Sequence, residues 1–265
     1  EIALGQAASV EQSDDNLTWT FTLRDDITWS DGQAVTANDF VFGFDNLAAQ
    51  GGDYCTMISD IVDSYEATDD KTLVLHLKHA CSYLPSVLAF PPTYPARQDY
   101  VEEYGDAYAT DPDKAVYNGP YEMESWAHES EVVMKLRDDY YDADQIQVGT
   151  INWELITEES SALASFESGD YVYSDMCPDE EKPRMEGNGL VYAEGNNNYC
   201  VMFNLGDKGN DVLKDVNVRK ALSLIIDRER IMNIRGLNDE IGVTLAGRGY
   251  ENADGTDFVD YCDPW

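Results

Sequence analysis

Basic residues are scarce in this 265-residue chain: Lys and Arg together number 17, against 52 Asp and Glu, and the formal net charge is −35. A surface this acidic repels the phosphates of nucleic acids and the headgroups of anionic lipids. A nucleic-acid partner is therefore not expected. The sequence also contains no apolar run long enough to span a bilayer. No signal peptide is visible in the first residues, Glu1–Gln6.

The sequence lacks the motifs that carry common enzyme chemistry. It contains no G-x-S-x-G nucleophile turn, no phosphate-binding P-loop and no G-x-G-x-x-G dinucleotide motif. Its 52 acidic residues offer many carboxylate pairs, but nothing in their spacing selects the pair that a glycoside hydrolase needs. The sequence therefore predicts that the protein is not an enzyme, and an extracellular hydrolase with a carboxylate dyad stays as an alternative.

Histidine and cysteine are too few and too scattered to predict a metal site. The three histidines do not cluster with the five cysteines, and no C-x-x-C pair occurs. The stretch from Glu251 to Asp257 looks like a calcium loop, but its glycine follows Asp254 directly, which breaks the spacing of such loops. Neither a metal nor another cofactor is expected.

The cysteines could instead form disulfides, because an exported protein meets oxidising conditions. Two pairings are candidates, Cys55 with Cys81 and Cys177 with Cys200. Cys262 would then be left over. Connectivity cannot be read from sequence, so both pairings stay open.

Apolar and aromatic residues are plentiful enough for a packed core, at 43% and 11% of the chain. Thr18–Arg24 alternates between threonine and large apolar residues, which predicts a half-buried strand. Thr36 stands three residues before Asp39, a capping-box pattern, and apolar residues then recur at helical spacing from Phe40 to Leu47. This part of the chain therefore predicts a strand, a turn and a helix.

Similar patterns continue along the chain and predict a mixed α/β architecture. The predicted strands are 72–77, 132–136, 151–155 and 199–205; the predicted helices are 82–88, 160–168 and 218–234, the last interrupted near Asp227. No internal repeat is present.

Three blocks of the sequence resemble one known family. The first runs from Thr18 through Trp29-Ser-Asp-Gly32 to Phe42, the second from Asn118-Gly-Pro-Tyr121 to Tyr141, and the third from Phe203-Asn204 to Arg228, with Leu163–Gly169 between the last two. These blocks, in this order, resemble the oligopeptide- and dipeptide-binding receptors of ABC transporters, the extracytoplasmic solute-binding proteins of family 5. The resemblance covers nearly the whole chain.

The resemblance implies an α/β fold of the periplasmic-binding-protein type (type II), in which two lobes close over a ligand, with an extra outer α/β domain. By analogy, residues 1–115 would form the outer domain, 116–205 part of the first binding lobe and 206–265 the start of the second lobe. Family members are considerably longer, so the fold is expected to be incomplete in this chain, at both ends.

The resemblance also implies a function outside the membrane. We expect a monomer that captures short peptides and delivers them to a membrane permease, in the periplasm or as a cell-surface lipoprotein whose anchor segment is absent from this chain. Fold does not determine ligand, so a nickel chelate, haem, an opine or an oligosaccharide stays an alternative solute. A sensor or adhesion role without a permease is a further alternative.

Particular residues follow from the resemblance as candidate ligand contacts. They lie after the first long helix, in a loop that lines the cleft in relatives, before and within a strand that joins the lobes, and near a position that pairs with a ligand carboxylate. In that order they are Tyr54; Asp175 and Met176; Asn197, Asn198, Tyr199 and Cys200; and Arg235.

Overall fold

The computed structural model describes residues 3–192, 199–235, 241–242, 244–245, 247 and 249–261. The chain forms two compact units, Glu1–Leu155 and Ile156–Trp265. Both strands and helices contribute, as expected for a mixed α/β chain. The predicted boundaries after residues 115 and 205 concern the lobes of the whole fold and stay predictions.

The first unit contains a four-stranded antiparallel sheet. Its strands are β1 (Ala7–Gln12), β2 (Thr18–Leu23), β3 (Val62–Asp69) and β4 (Thr72–Leu77), in the order β1-β2-β4-β3. The sequence predicted the two central strands, β2 and β4, whose alternating residues place Trp19 and Leu75 in the core. The two edge strands were not predicted.

Helix α1 (Ala37–Gln50) follows the capping box that the sequence predicted. The Asp39 carboxylate accepts hydrogen bonds from the backbone N–H of Thr36 at 2.8 Å and from its hydroxyl at 3.1 Å. Phe44 and Leu47 are buried in the core of this unit. Gly43 allows the chain at residues 94–96 to approach the helix, because a Cβ there would lie 2.5 Å from the carbonyl oxygen of Tyr94.

The first unit also contains three short helices: α2 (Asp53–Ser59), α3 (Leu84–Leu88) and α4 (Gln98–Tyr104). The sequence predicted a short helix in residues 82–88, and α3 confirms it. A 3₁₀ turn at Pro91–Thr93 follows directly. Leu84 and Val87 anchor α3 in the core.

A second, three-stranded antiparallel sheet lies at the end of the first unit. It contains β5 (Tyr121–Ala127), β6 (Glu131–Leu136) and β7 (Thr150–Glu154), in sequence order. Strands β6 and β7 were predicted from their alternation. Strand β5 was not, because its register shifts between Met123 and Ser125 and so breaks the period of two.

The second unit is helical in its described residues, with α5 (Glu159–Ser168), α6 (Lys182–Met185), α7 (Val216–Leu224) and α8 (Arg228–Arg235). Helix α5 ends at Gly169, whose φ of 84° is the left-handed conformation that glycine adopts most easily. Helices α7 and α8 form the predicted helical stretch, and they are separated at Asp227 as expected.

The predicted strand at Tyr199–Leu205 is wrong. These residues form no strand, and all but Phe203 are exposed. A strand exists only when its backbone pairs with a neighbour, and no described segment pairs with this one. An apolar run alone could not reveal that.

Neither of the two candidate disulfides is present. Cys55, Cys81, Cys177 and Cys200 are all free thiols, and Cys262 lies outside the described residues. Cys81 is instead a buried member of the core of the first unit, where it packs as a small apolar residue.

Within the described part of the chain, no helix has the length and apolar character needed to cross a membrane.

Candidate functional site

The signature turn Trp29–Gly32 is built into the core. The Trp29 N–H donates to the carbonyl of Gln33 at 2.7 Å, and Gly32 closes the turn with a φ of 83°. The indole of Trp29 is buried, and its N–H donates to the Asp39 carboxylate at 3.2 Å. This tryptophan therefore fixes the turn against the start of α1.

The first two sequence blocks meet through a pair of hydrogen bonds. The Ser30 N–H donates to the Tyr117 carbonyl at 2.7 Å, and the Tyr117 N–H donates back to the Ser30 hydroxyl oxygen at 3.1 Å. Tyr117 immediately precedes Asn118 and the rest of the second block. Residues that are far apart in sequence thus hold one another in place.

Arg137 strengthens the same junction. Its buried guanidinium donates to the carbonyls of Tyr117 and Gly119 at 2.8 and 3.1 Å and to the carbonyl of Thr28 at 3.0 Å. It also pairs with Asp139 at 3.0 Å. Burial is the largest single influence on Asp139 and raises its pKa, but the hydrogen bonds from Arg137 and Thr28 together with the charge of Arg137 outweigh it and leave that pKa lowered.

Arg97 forms a second buried cluster. Its guanidinium pairs with Asp99 at 2.6 Å and with Asp31 at 2.9 Å, and it lies over the ring of Tyr100. The hydrogen bond that Arg97 donates to the Asp99 carboxylate raises the pKa of Arg97, and the same bond lowers the pKa of Asp99. Because two carboxylates already neutralise Arg97, it is not a ready partner for a further anion.

An open depression of about 320 Å³ lies beside this cluster, lined by Gln33, Asp39, Arg97, Gln98, Asp99 and Glu102. Its lining is polar, and three of the six residues are acidic. The sequence analysis did not single out Arg97 or Arg137. The available signal was a repeated Arg-x-Asp pattern, which occurs at Arg24, Arg97 and Arg137, and in each case the arginine binds the carboxylate two residues later.

Among the candidate ligand contacts, Tyr54 is the one in the first unit. It lies in α2, 56% exposed, and its ring centroid is 5.4 Å from that of Phe90. An exposed ring held against a second aromatic ring can present a flat apolar surface to a ligand.

Asp175 and Met176 lie in the second unit, between α5 and α6. Asp175 is exposed and Met176 is half-buried. The Met176 N–H donates to the Ser174 hydroxyl oxygen at 3.1 Å, and the hydroxyl donates back to the Met176 carbonyl at 3.1 Å. These bonds fix a tight loop that presents the Asp175 carboxylate to solvent.

The remaining candidates are also in the second unit. Tyr199 is 86% exposed and Cys200 is exposed as well. Arg235 is the last residue of α8. Asn197 and Asn198 lie outside the described residues. Among the residues described, no group of three or more His, Cys, Asp or Glu side chains is arranged to hold a metal ion.

Comparison with curated proteins identifies clear relatives. The oligopeptide-binding protein OppA of Bacillus subtilis is 28% identical over 249 residues, which cover 86% of this chain and 45% of that protein. The dipeptide-binding protein DppE of the same organism is 24% identical over an alignment of 275 positions, which covers 97% of this chain and 50% of the relative. The chain thus spans about half the length of the curated relatives that it matches.

Solved structures of oligopeptide-binding proteins also match this chain. OppA of Listeria monocytogenes bound to peptide matches with a TM-score of 0.81 and 25% identity, over 96% of this chain and 54% of that one. The substrate-binding domain of an oligopeptide ABC transporter from Bacillus anthracis matches with a TM-score of 0.80 and 28% identity, over 97% of this chain and 53% of that one.

A family model covers nearly the whole chain. The model described as "Bacterial extracellular solute-binding proteins, family 5 Middle" matches residues 1–256. The structural matches confirm the expected α/β fold of periplasmic binding proteins, present here in part. The chain belongs to the bacterial extracellular solute-binding proteins of family 5.

Proposed function

We propose that this protein captures short peptides outside the cytoplasmic membrane and delivers them to the permease of an ABC importer. The observation that carries the proposal is the structural match to a peptide-bound OppA over almost the whole chain. The names of the curated relatives, oligopeptide- and dipeptide-binding proteins, support the same solute class.

Capture of a peptide needs no catalytic step, and this fits the lack of catalytic motifs in the sequence. A receptor for varied peptides can bind the backbone, because every peptide offers the same donors and acceptors. The exposed polar groups at Asp175 and Tyr199 are of the kind that such binding uses. With Tyr54, Met176, Asn197, Asn198, Cys200 and Arg235, they remain the proposed contacts.

The proposal includes the organisation inferred from the family. Residues 1–115 would form an outer domain, 116–205 part of one binding lobe and 206–265 the start of the other. The protein would act as a monomer in the periplasm or at the cell surface, with peptide and permease as its partners. The acidic surface, at a net charge of −35, favours this monomer because like charges repel.

A different solute on the same fold is the competing hypothesis, and one relative favours it. The Escherichia coli protein YgiS, named as a probable deoxycholate-binding periplasmic protein, is 26% identical over 253 residues. That identity is close to those of the peptide-binding relatives. Membership of the family therefore leaves the solute open.

Thermal unfolding with candidate solutes tests the proposal. A ligand that binds only the folded chain stabilises it by about 2.7 kcal/mol at a hundred times its Kd. For a chain of this size, that corresponds to a rise in Tm of about 5–10 °C. A mixture of di- to pentapeptides should raise Tm, and mass spectrometry should recover the bound peptides intact.

Deoxycholate serves as the comparison ligand in the same experiment. A rise in Tm with deoxycholate and none with peptides would refute the peptide proposal. Cleaved peptides, released in proportion to time, would refute simple binding and favour the carboxylate-dyad hydrolase.

A further inference from the structure

The sequence contains a single site of the kind at which exported proteins receive N-linked sugars. Such a site is an asparagine followed by any residue except proline and then by serine or threonine. Among the asparagines of the chain only Asn16 meets this rule, in Asn16-Leu17-Thr18. Asp14 stands two residues before Asn16, where the bacterial form of the motif also has an acidic residue. A motif this short arises by chance as well, so the place of Asn16 in the fold has to decide its meaning.

Asn16 lies in the turn of the hairpin that connects β1 and β2. It is exposed and has a φ of 57°, in the left-handed region. Asparagine adopts this conformation more readily than most residues that carry a Cβ. The Asn16 N–H donates to the Ser13 carbonyl at 2.8 Å, which closes the turn. Because β1 is at the edge of its sheet, the turn lies at the margin of the sheet, open to solvent.

The polar groups next to Asn16 are used within the turn, whereas its own carboxamide is not. The Ser13 hydroxyl donates to the Asp15 carboxylate at 2.6 Å, and the same carboxylate accepts from the Leu17 N–H at 3.0 Å. The Thr18 N–H donates to the Ser13 hydroxyl oxygen at 2.9 Å. Among the described residues, none forms a hydrogen bond with the Asn16 carboxamide. A sugar on its amide nitrogen therefore breaks no contact of the fold.

Thr18 indicates when a sugar would be added. A transferase has to recognise the hydroxyl of this residue, but in the folded chain that hydroxyl lies 3.3 Å from Nδ1 of His76. The backbone of Thr18 also pairs with His76 across β2 and β4. Transfer therefore precedes the pairing of these strands, while the exported chain is still unfolded. The fold then has to accept the product, and the exposed, unbonded carboxamide of Asn16 allows this.

We propose that Asn16 is the acceptor of an N-linked oligosaccharide. The donor is an oligosaccharide on a polyprenyl diphosphate, and the chain is the substrate of a transferase, not the catalyst. The Asn16 amide nitrogen forms a bond to C1 of the first sugar, and the bond between C1 and the diphosphate oxygen breaks. Polyprenyl diphosphate leaves with that electron pair, the amide loses one proton to a base, and nothing is oxidised or reduced.

A glycan at this place would protect an exposed sheet edge. Residues 8–12 of β1 are exposed, and an edge strand offers unpaired backbone groups to other chains. A bulky, hydrated sugar close to the end of β1 obstructs such pairing. The inference depends only on the family, whose members are extracellular, and not on which solute the protein binds.

Export of the 265-residue chain from a bacterial host tests the acceptor. The host carries an oligosaccharyltransferase that accepts an acidic residue two positions before asparagine, together with its lipid-linked donor, and a cleavable leader directs export. Mass spectrometry of the purified chain should show the mass of one glycan, on the peptide that contains Asn16. A reference glycoprotein in the same cells shows that the transferase is active, so an unmodified chain counts against the proposal.

Substitutions locate the site. Asn16→Asp keeps a residue that tolerates the left-handed conformation but removes the amide, and it should abolish the glycan. Thr18→Val should also abolish it, whereas Thr18→Ser, which keeps the hydroxyl, should retain it. Asn188→Gln is the matched control, because Asn188 is also an exposed asparagine in a turn but lies outside the motif, and it should leave the modification unchanged.

Urea unfolding tests whether the fold accepts the glycan. The glycosylated chain should unfold at the same urea concentration as the unmodified chain or at a higher one, because no contact is lost. An unmodified chain, a glycan on another residue, or a glycan that persists in Asn16→Asp would refute the proposal. A glycosylated chain that unfolds at a lower urea concentration would contradict a free carboxamide in the hairpin turn and would also overturn the inference.

Discussion

Replacing Arg137 by alanine should strongly destabilise the first unit. The guanidinium is buried and contacts three backbone carbonyls, those of Thr28, Tyr117 and Gly119, as well as the Asp139 carboxylate. Asp139 is half-exposed, so water can hydrate its carboxylate after the arginine is lost. The cost of the substitution therefore falls mainly on the carbonyl groups.

The magnitude follows from counting the bonds that are lost. The Tyr117 carbonyl keeps the N–H of Ser30, which leaves the Thr28 and Gly119 carbonyls as the main losses. A hydrogen bond from a charged donor contributes about 1.5–3 kcal/mol. Two of them give about 3–6 kcal/mol, which overlaps the usual cost of about 3–5 kcal/mol for removing one partner of a buried ion pair.

Urea unfolding followed by tryptophan fluorescence measures this loss, since four of the five tryptophans lie in residues 1–155. Arg24→Ala is the matched control. Arg24 binds Asp26 in the same Arg-x-Asp arrangement, at 2.9 and 2.8 Å, but the pair is solvent-exposed and should contribute far less. If both variants shift the unfolding midpoint equally, burial of Arg137 is not what makes it important, and the reasoning fails.

Three further predictions follow from the same structure. Gly43→Ala should cost about 1–3 kcal/mol in urea unfolding because its Cβ would meet the Tyr94 carbonyl, whereas Gly149→Ala meets no atom within 4 Å; equal losses would contradict this. Because the pKa of Asp99 is lowered in the folded chain, its ionised form stabilises the fold above its ordinary pKa of about 4, and this stability is lost as pH falls through the lowered pKa. The loss of stability with falling pH should therefore be shallower in Asp99→Asn, and an equally steep loss in the variant would refute this. Raising salt from about 0.05 to about 0.5 M should raise Tm, because it screens repulsion within a chain of net charge −35; a fall in Tm would show that ion pairs matter more.

The elements that were predicted correctly are those specified by residues close together in the sequence. Alternation placed β2 and β4, the Thr36–Asp39 capping box placed the start of α1, and Gly169 placed the end of α5. Each signal depends on residues within a few positions of one another. Such short-range signals determine the local structure wherever tertiary packing does not override them.

The elements that were missed or wrong depend on distant partners. The edge strand β3 alternates poorly, because its register shifts between Val62 and Ser64 and again between Ala67 and Asp69. Residues 199–205 have the composition of a strand but belong to neither of the described sheets. Arg137 contacts Thr28, which is 109 residues away, and no local pattern encodes that contact.

The same distinction separates what the family resemblance identifies from what it leaves open. Trp29 is buried, Ser30 and Tyr117 bond to each other, and Arg137 of the second block donates to Thr28 of the first, so these residues of the first unit are occupied in building the fold. They can be shared by receptors of different solutes, because no ligand needs to contact them. We therefore expect selection among solutes to come from exposed residues outside the shared blocks, of which Tyr54 is a proposed one. Changes in specificity should therefore follow substitutions at exposed residues such as Tyr54, whereas substitutions at Trp29 or Arg137 should reduce stability for every ligand alike.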